Sequence, residues 1–169
     1  MTEETKNNFI KAFDIYADAI FRYCLVRVTN RETAKDLTQT TFFKTWNYLV
    51  DGKKVKDLKN FLYKVAHNLV VDYYRLKKTE SLDSLFDGEA FDPPAVEEFS
   101  IEEKADASFA LKILDKIPTE YREVVVLRFV EGLSFKDIAE ITKESENTVT
   151  VRFHRALEKL KKIFDPENN

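Results

Sequence analysis

The sequence predicts an all-α protein of two small helical domains joined by an acidic linker, and three observations predict it. Apolar residues recur at spacings of three and four through most of the chain, the period of amphipathic helices. Only three Gly and four Pro occur among 169 residues, too few for a turn-rich sheet protein. Charge is also sharply divided along the chain. From Met1 to Lys78, 15 Lys and Arg stand against 9 Asp and Glu, a net of +6; from Thr79 to Glu103 none stands against 9, a net of −9. From Lys104 onward 12 meet 12, so the overall charge of −3 conceals a basic first part compatible with nucleic acid.

The first domain, residues 1–78, reads as three helices. Between Asn8 and Val28, one face collects Phe9, Phe13, Tyr16, Ala17, Ile20, Cys24 and Val28. Asn30 is placed to cap a second helix, Arg31 to Leu49, with Ala34, Leu37, Thr41, Phe42, Thr45 and Trp46 turned inward. A short basic loop, Val50 to Asp57, leads to a third helix, Leu58 to Lys78. Its inward stripe reads Phe61, Leu62, Val65, Ala66, Leu69 and Tyr73, and its other faces carry Lys59, Lys64, His67, Asn68 and Arg75.

The helical pattern breaks at Thr79, and residues 79–99 read as an extended acidic linker with adjacent prolines at 93 and 94. The second domain, residues 100–169, reads as four helices. Ser100 and Glu103 form a capping box for the first, which ends near Ile117 before Pro118 starts the next. That helix, Thr119 to Glu131, turns Tyr121, Val124, Val125, Leu127 and Phe129 inward.

The last two helices read as a helix-turn-helix, the arrangement that lays its second helix in a DNA major groove. Ser134 with Asp137 caps the first, buried through Ile138, Ala139 and Ile141; Ser145 caps the second, whose stripe is Val149, Phe153, Ala156, Leu160 and Phe164. Its opposite face carries Asn147, Thr150, Val151, His154 and Arg155, side chains that donate, accept or make apolar contact with base edges.

The single cysteine, Cys24, excludes an intrachain disulfide and fits a reducing compartment as a small core filler. The N-terminal residues lack the regions of a signal peptide, and no apolar run is long enough to cross a bilayer, so a cytoplasmic location without membrane insertion is expected. His67 and His154 fall in different domains, and no metal-ligand spacing, phosphate loop or nucleophile context appears; neither enzyme activity nor a cofactor is expected.

Several stretches carry a family resemblance. The chain resembles bacterial RNA polymerase sigma factors of the extracytoplasmic-function (ECF) type within the sigma-70 family. The run DLTQTTFFKTW, with Asp36, Gln39, Phe42 and Trp46, and the run FLYKVAHNLVVDYYR, with Phe61, Leu62, Ala66, Asn68, Asp72 and Arg75, are similar to region 2 patterns. IPTEYREVVVLRFVEGLSFKDIAE and TVTVRFHRALEKL are similar to region 4. Departures stand at Phe61, where Trp is usual, at His67, where Arg is usual, and at Thr40, where Glu is common. Lys143, Glu144 and Asn147 replace the glycine, apolar residue and second glycine common around the last turn. A positive φ at Lys143 would cost on the order of 1 kcal/mol relative to Gly, so a reshaped turn is one expectation.

The resemblance implies a sigma factor that binds core RNA polymerase and directs promoter-specific initiation. The polymerase face would include Asp36, Gln39 and Lys44. The loop Asp51 to Lys56 with Asn68 would hold a flipped base of the melted non-template strand at the minus-ten element, while Lys53, Lys54, Lys56, Lys64 and Arg75 meet phosphates. Asp72 is either a salt-bridge partner of Arg75 or a contact residue. Thr150, Val151, His154 and Arg155, with Arg152 beside them and Asn147 at the helix start, would read the minus-thirty-five duplex. The linker would thread the polymerase's RNA exit path, and an anti-sigma factor is an expected partner. The alternatives from the residues are a stand-alone helix-turn-helix transcriptional regulator and an all-helical interaction module.

Overall fold

The computed structural model describes residues 2–84 and 112–164, apart from the side chains of 79–84. All regular structure among the described residues is helical. The stretch 85–99 and the capping box at Ser100 and Glu103 lie outside them.

The first unit holds most of α1 (Glu3–Val28), with α2 (Arg31–Val50) and α3 (Leu58–Ser84). Asn30 caps α2, its side-chain oxygen accepting from the Thr33 N–H at 2.8 Å. Between α1 and α2, Thr29 turns the chain with φ 54°. Helix α2 packs on α3. Ile20, Cys24, Ala34, Phe42, Leu49, Leu62, Tyr63, Ala66 and Val70 are buried, and Phe9 meets Phe42 edge-on and Trp46 at a tilt, with centroids 6.2 and 5.0 Å away. Thr41 and Thr45 are fully buried without polar cost, because each hydroxyl donates to the carbonyl four residues earlier, at 2.7 and 2.8 Å.

The inward stripe of α3 lies about one residue round from the predicted one. Leu62, Tyr63, Ala66, His67 and Val70 form the buried face, whereas Phe61, Val65, Leu69 and Tyr73 are half-buried at its margin. His67 is therefore inside and not on an outer face. Four residues after Tyr63 and three before Val70, it shares their direction, and its Nδ1 lies 3.2 Å from the buried Tyr23 hydroxyl. Helix α3 also continues to Ser84, six residues beyond Lys78. No Gly or Pro stands between Lys78 and Ser84 to stop it.

In the second unit, residues 112–114 are helical, and Arg122 braces the turn before Pro118. Its Nε donates to the Ile117 carbonyl at 2.9 Å, Nη2 to the Asp115 carbonyl at 3.0 Å and Nη1 to the Asp115 carboxylate at 2.8 Å. Proline supplies no N–H here, so the arginine fork satisfies the carbonyls that end the preceding turn. Helix α4 (Thr119–Val125) runs directly into a π-helical segment (Val126–Val130). The wider turn slips the helical phase. Phe129, expected inside, is 64% exposed, and Val126 takes an inward place. Gly132, at φ 67°, then lets the chain turn into α5 (Phe135–Thr142), followed by α6 (Glu146–Phe164). Helices α4 and α5 both pack on α6, around Ile138, Ile141, Val149, Phe153 and Ala156.

Candidate nucleic-acid and polymerase interfaces

The helix-turn-helix is capped at both ends of α5 and at the start of α6. The Asp137 N–H donates to Ser134 Oγ at 3.1 Å while the Ser134 N–H reaches back to the Asp137 carboxylate at 3.3 Å, a complete capping box. Lys143 adopts φ 60°, ψ 36°, so the turn keeps the left-handed geometry without its usual glycine and is not reshaped. The N–H groups of Lys143 and Glu144 both donate to the Ala139 carbonyl, closing α5 in the manner of a Schellman turn. Ser145 starts α6, accepting the Thr148 N–H at 3.0 Å.

This frame presents one open face of α6. Asn147, Val151, His154 and Arg155 are exposed and Thr150 is half-buried. Thr150 donates its hydroxyl to the Glu146 carbonyl at 2.8 Å, leaving its lone pairs to accept and its methyl to make apolar contact. Val151, 40% exposed, offers a surface suited to a thymine methyl. Arg155 makes no ion pair among the described residues, so its five donors are available. Arg152 differs, because its guanidinium holds the Glu144 carboxylate through two bonds of 2.6 Å.

In the first unit, Lys64, Asn68 and Arg75 follow one another along one side of α3. Asp72 bonds Arg75 at 3.1 Å, an exposed pair. The loop after α2 turns at Gly52, φ 80°, and ends where Asp57 caps α3 by accepting the Asn60 N–H at 3.0 Å. Lys53 lies over the Tyr48 ring at 4.8 Å and near the Asp51 carboxylate at 3.5 Å. An open cleft of about 880 Å³ forms between this loop and the start of α1, lined by Lys11, Tyr16, Lys53, Lys54, Lys56 and Lys59 among others. Asn68 does not line it. Ten residues beyond Leu58, Asn68 stands about 15 Å further along the helix.

Asp36, Gln39 and Lys44 are exposed on α2. Phe43 joins them, 65% exposed, and sequence reasoning passed over it. Its signal was the adjacent Phe42: neighbours on a helix point about 100° apart, so one of the two faces outward.

Two helical units, one ending in a capped helix-turn-helix with an open polar face, define a DNA-binding factor of bipartite build. Residues 12–80 match the family model of Sigma-70 region 2 and residues 110–160 that of Sigma-70, region 4. The chain is 31% identical over 167 residues to the ECF RNA polymerase sigma factor SigW of Bacillus subtilis (strain 168), covering 91% of this chain and 87% of SigW. It is 30% identical to RNA polymerase sigma factor YlaC of the same organism, over 87% of this chain and 86% of YlaC. Among solved structures, the sigma factor RpoE in complex with the anti-sigma factor NepR from Bartonella quintana shares the fold, with a TM-score of 0.80 at 22% identity over 95% of this chain and 99% of that one. The chain belongs to the ECF RNA polymerase sigma factors, and directs promoter-specific initiation of transcription in company with core RNA polymerase and promoter DNA. The region 2 match does not favour a stand-alone helix-turn-helix regulator. Among the described residues, no helix is long and apolar enough to cross a membrane.

Proposed function

We propose that the two units divide the work of initiation, residues 1–78 binding polymerase and opening the minus-ten element and residues 100–169 reading the minus-thirty-five duplex. The acidic stretch between Ser84 and Ser100 tethers them. The observation that carries this reading is the open α6 face, where Val151, His154 and Arg155 are exposed and Arg155 is unpaired among the described residues. Arg155 engages a guanine edge or a phosphate in bidentate fashion, Val151 packs on a thymine methyl, and Thr150 accepts from a base amino group. Asn147 and His154 supply the flanking contacts.

In the first unit, Asp36, Gln39 and Lys44 dock on the polymerase with Phe43 as the apolar anchor among them. Support for this comes from their shared exposure on α2. Asn68 hydrogen-bonds a base of the melted non-template strand, and Lys53, Lys54, Lys56, Lys64 and Arg75 meet its phosphates. The protein performs no catalysis of its own and works in the cytoplasm. An anti-sigma factor holds it inactive, a reading supported by the NepR-bound structure of similar fold.

The test is a pair of assays on the full chain bound to core polymerase. Asn68→Ala is expected to reduce permanganate reactivity of melted thymines while sparing capture of an upstream duplex, and Arg155→Ala to do the reverse at capture. Equal defects of both variants in both assays would overturn the division.

A further inference from the structure

Arg152 stands on α6 between the exposed Val151 and the buried Phe153, in the helix proposed above to read the duplex. Its side chain is nevertheless turned back along the helix toward the turn. Nη1 donates to Glu144 Oε2 and Nη2 to Glu144 Oε1, each at 2.6 Å, a fork-on-fork pair. Both side chains are mostly covered, with 21% and 29% of their surface exposed. Glu144 is thereby fastened twice. Its backbone N–H closes the last turn of α5 on the Ala139 carbonyl at 3.1 Å, and its carboxylate grips α6 eight residues further on. The residue it follows, Lys143, occupies the left-handed region that favours glycine. The turn that most needs an external hold is the one that receives it.

We propose that Arg152 is a positioning residue and not a DNA contact: through Glu144 it locks the strained turn to the second helix and so fixes the pose from which Val151 and Arg155 meet the duplex. This inference rests on the reading of α6 as the duplex-reading helix. An arginine that contacted phosphate would contribute to the salt dependence of binding, and a nearby carboxylate would oppose it. A clamp makes the opposite demand on Glu144, which becomes as necessary as the arginine.

The experiment compares Glu144→Gln, Arg152→Gln and the double variant in the full chain. The probe is a duplex that the wild-type chain with core polymerase selects from a random-sequence library. Each single variant is expected to weaken binding by about tenfold, the size of a lost charge-assisted hydrogen-bond pair. The double variant is expected to be no weaker than either single one, with an unchanged slope of log affinity against log salt. Amide exchange of Glu144 to Thr148 in the free protein is expected to quicken in both single variants. Tighter binding by Glu144→Gln, together with a slope reduced by about one in Arg152→Gln, would establish a phosphate contact and overturn the clamp. Unchanged exchange in both single variants would overturn it equally. If the wild-type chain selects no duplex, the promoter-reading account fails by itself, and the exchange measurement still decides whether the turn is clamped.

Discussion

Replacing Lys143 with glycine isolates the strain in the helix-turn-helix. Lys143 is exposed and holds φ 60°, ψ 36°, so the substitution removes no packing and no ion pair among the described residues. A residue with a Cβ pays roughly 1–2 kcal/mol in the left-handed region. Glycine returns about 0.5–1 kcal/mol of that through the greater freedom of its unfolded chain. The net expectation is a stabilisation of about 0.5–1 kcal/mol, or a rise of about 2–8 °C in the melting temperature of a unit this small. Lys143→Val moves the other way, since a β-branched side chain fits this region worst. Thermal unfolding of the full chain followed by circular dichroism, with amide exchange at Ile138 to Ile141 as the local readout, measures both. A glycine variant melting at or below the parent would refute the strain argument, and with it the reason given for clamping this turn.

Three further outcomes follow from the same geometry. Ser134→Ala removes one half of the capping box and is expected to destabilise the second unit by about 1 kcal/mol, read as a lower urea midpoint with an unchanged slope. Arg155→Ala should weaken capture of the selected duplex by roughly 1–3 kcal/mol and relax base preference at one position, measured by competition among point-mutated duplexes. Thr29→Gly relieves the positive φ between α1 and α2 but gives up the hydroxyl bond to the Val28 carbonyl at 2.8 Å, so the two effects are expected to offset to within about 0.5 kcal/mol, against a loss above about 1 kcal/mol if that backbone is unstrained.

Several elements were legible because a cap or a breaker marked their start. Asn30, Ser134 and Ser145 start their helices where their side-chain chemistry demands, and Pro118 marks the entry to α4. Helix faces were less secure. Tyr63 and Val70 reveal the true inward side of α3, and once they are included His67 moves inside with them. Phe129 escaped because a π turn carries no residue signature that separates it from an α turn; its consequence is a change of phase visible only in the folded chain. The outward residues of α6 were readable because Val149, Phe153 and Ala156 define its buried stripe by spacing alone. The partnership of Glu144 and Arg152 was not readable, since it spans a left-handed turn whose conformation the residue types at 143 and 144 argue against.

The central claim is that this chain alone confers promoter choice on RNA polymerase through two separate contacts with DNA. Its most direct test combines the full chain with core polymerase and a random promoter library, then sequences the transcripts initiated. The expected result is a set of defined start sites preceded by two enriched elements, with Arg155→Ala eroding the upstream one and Asn68→Ala lowering initiation without altering it. Transcription from a competent core with no specific start sites, or with enrichment of a single element, would contradict the account.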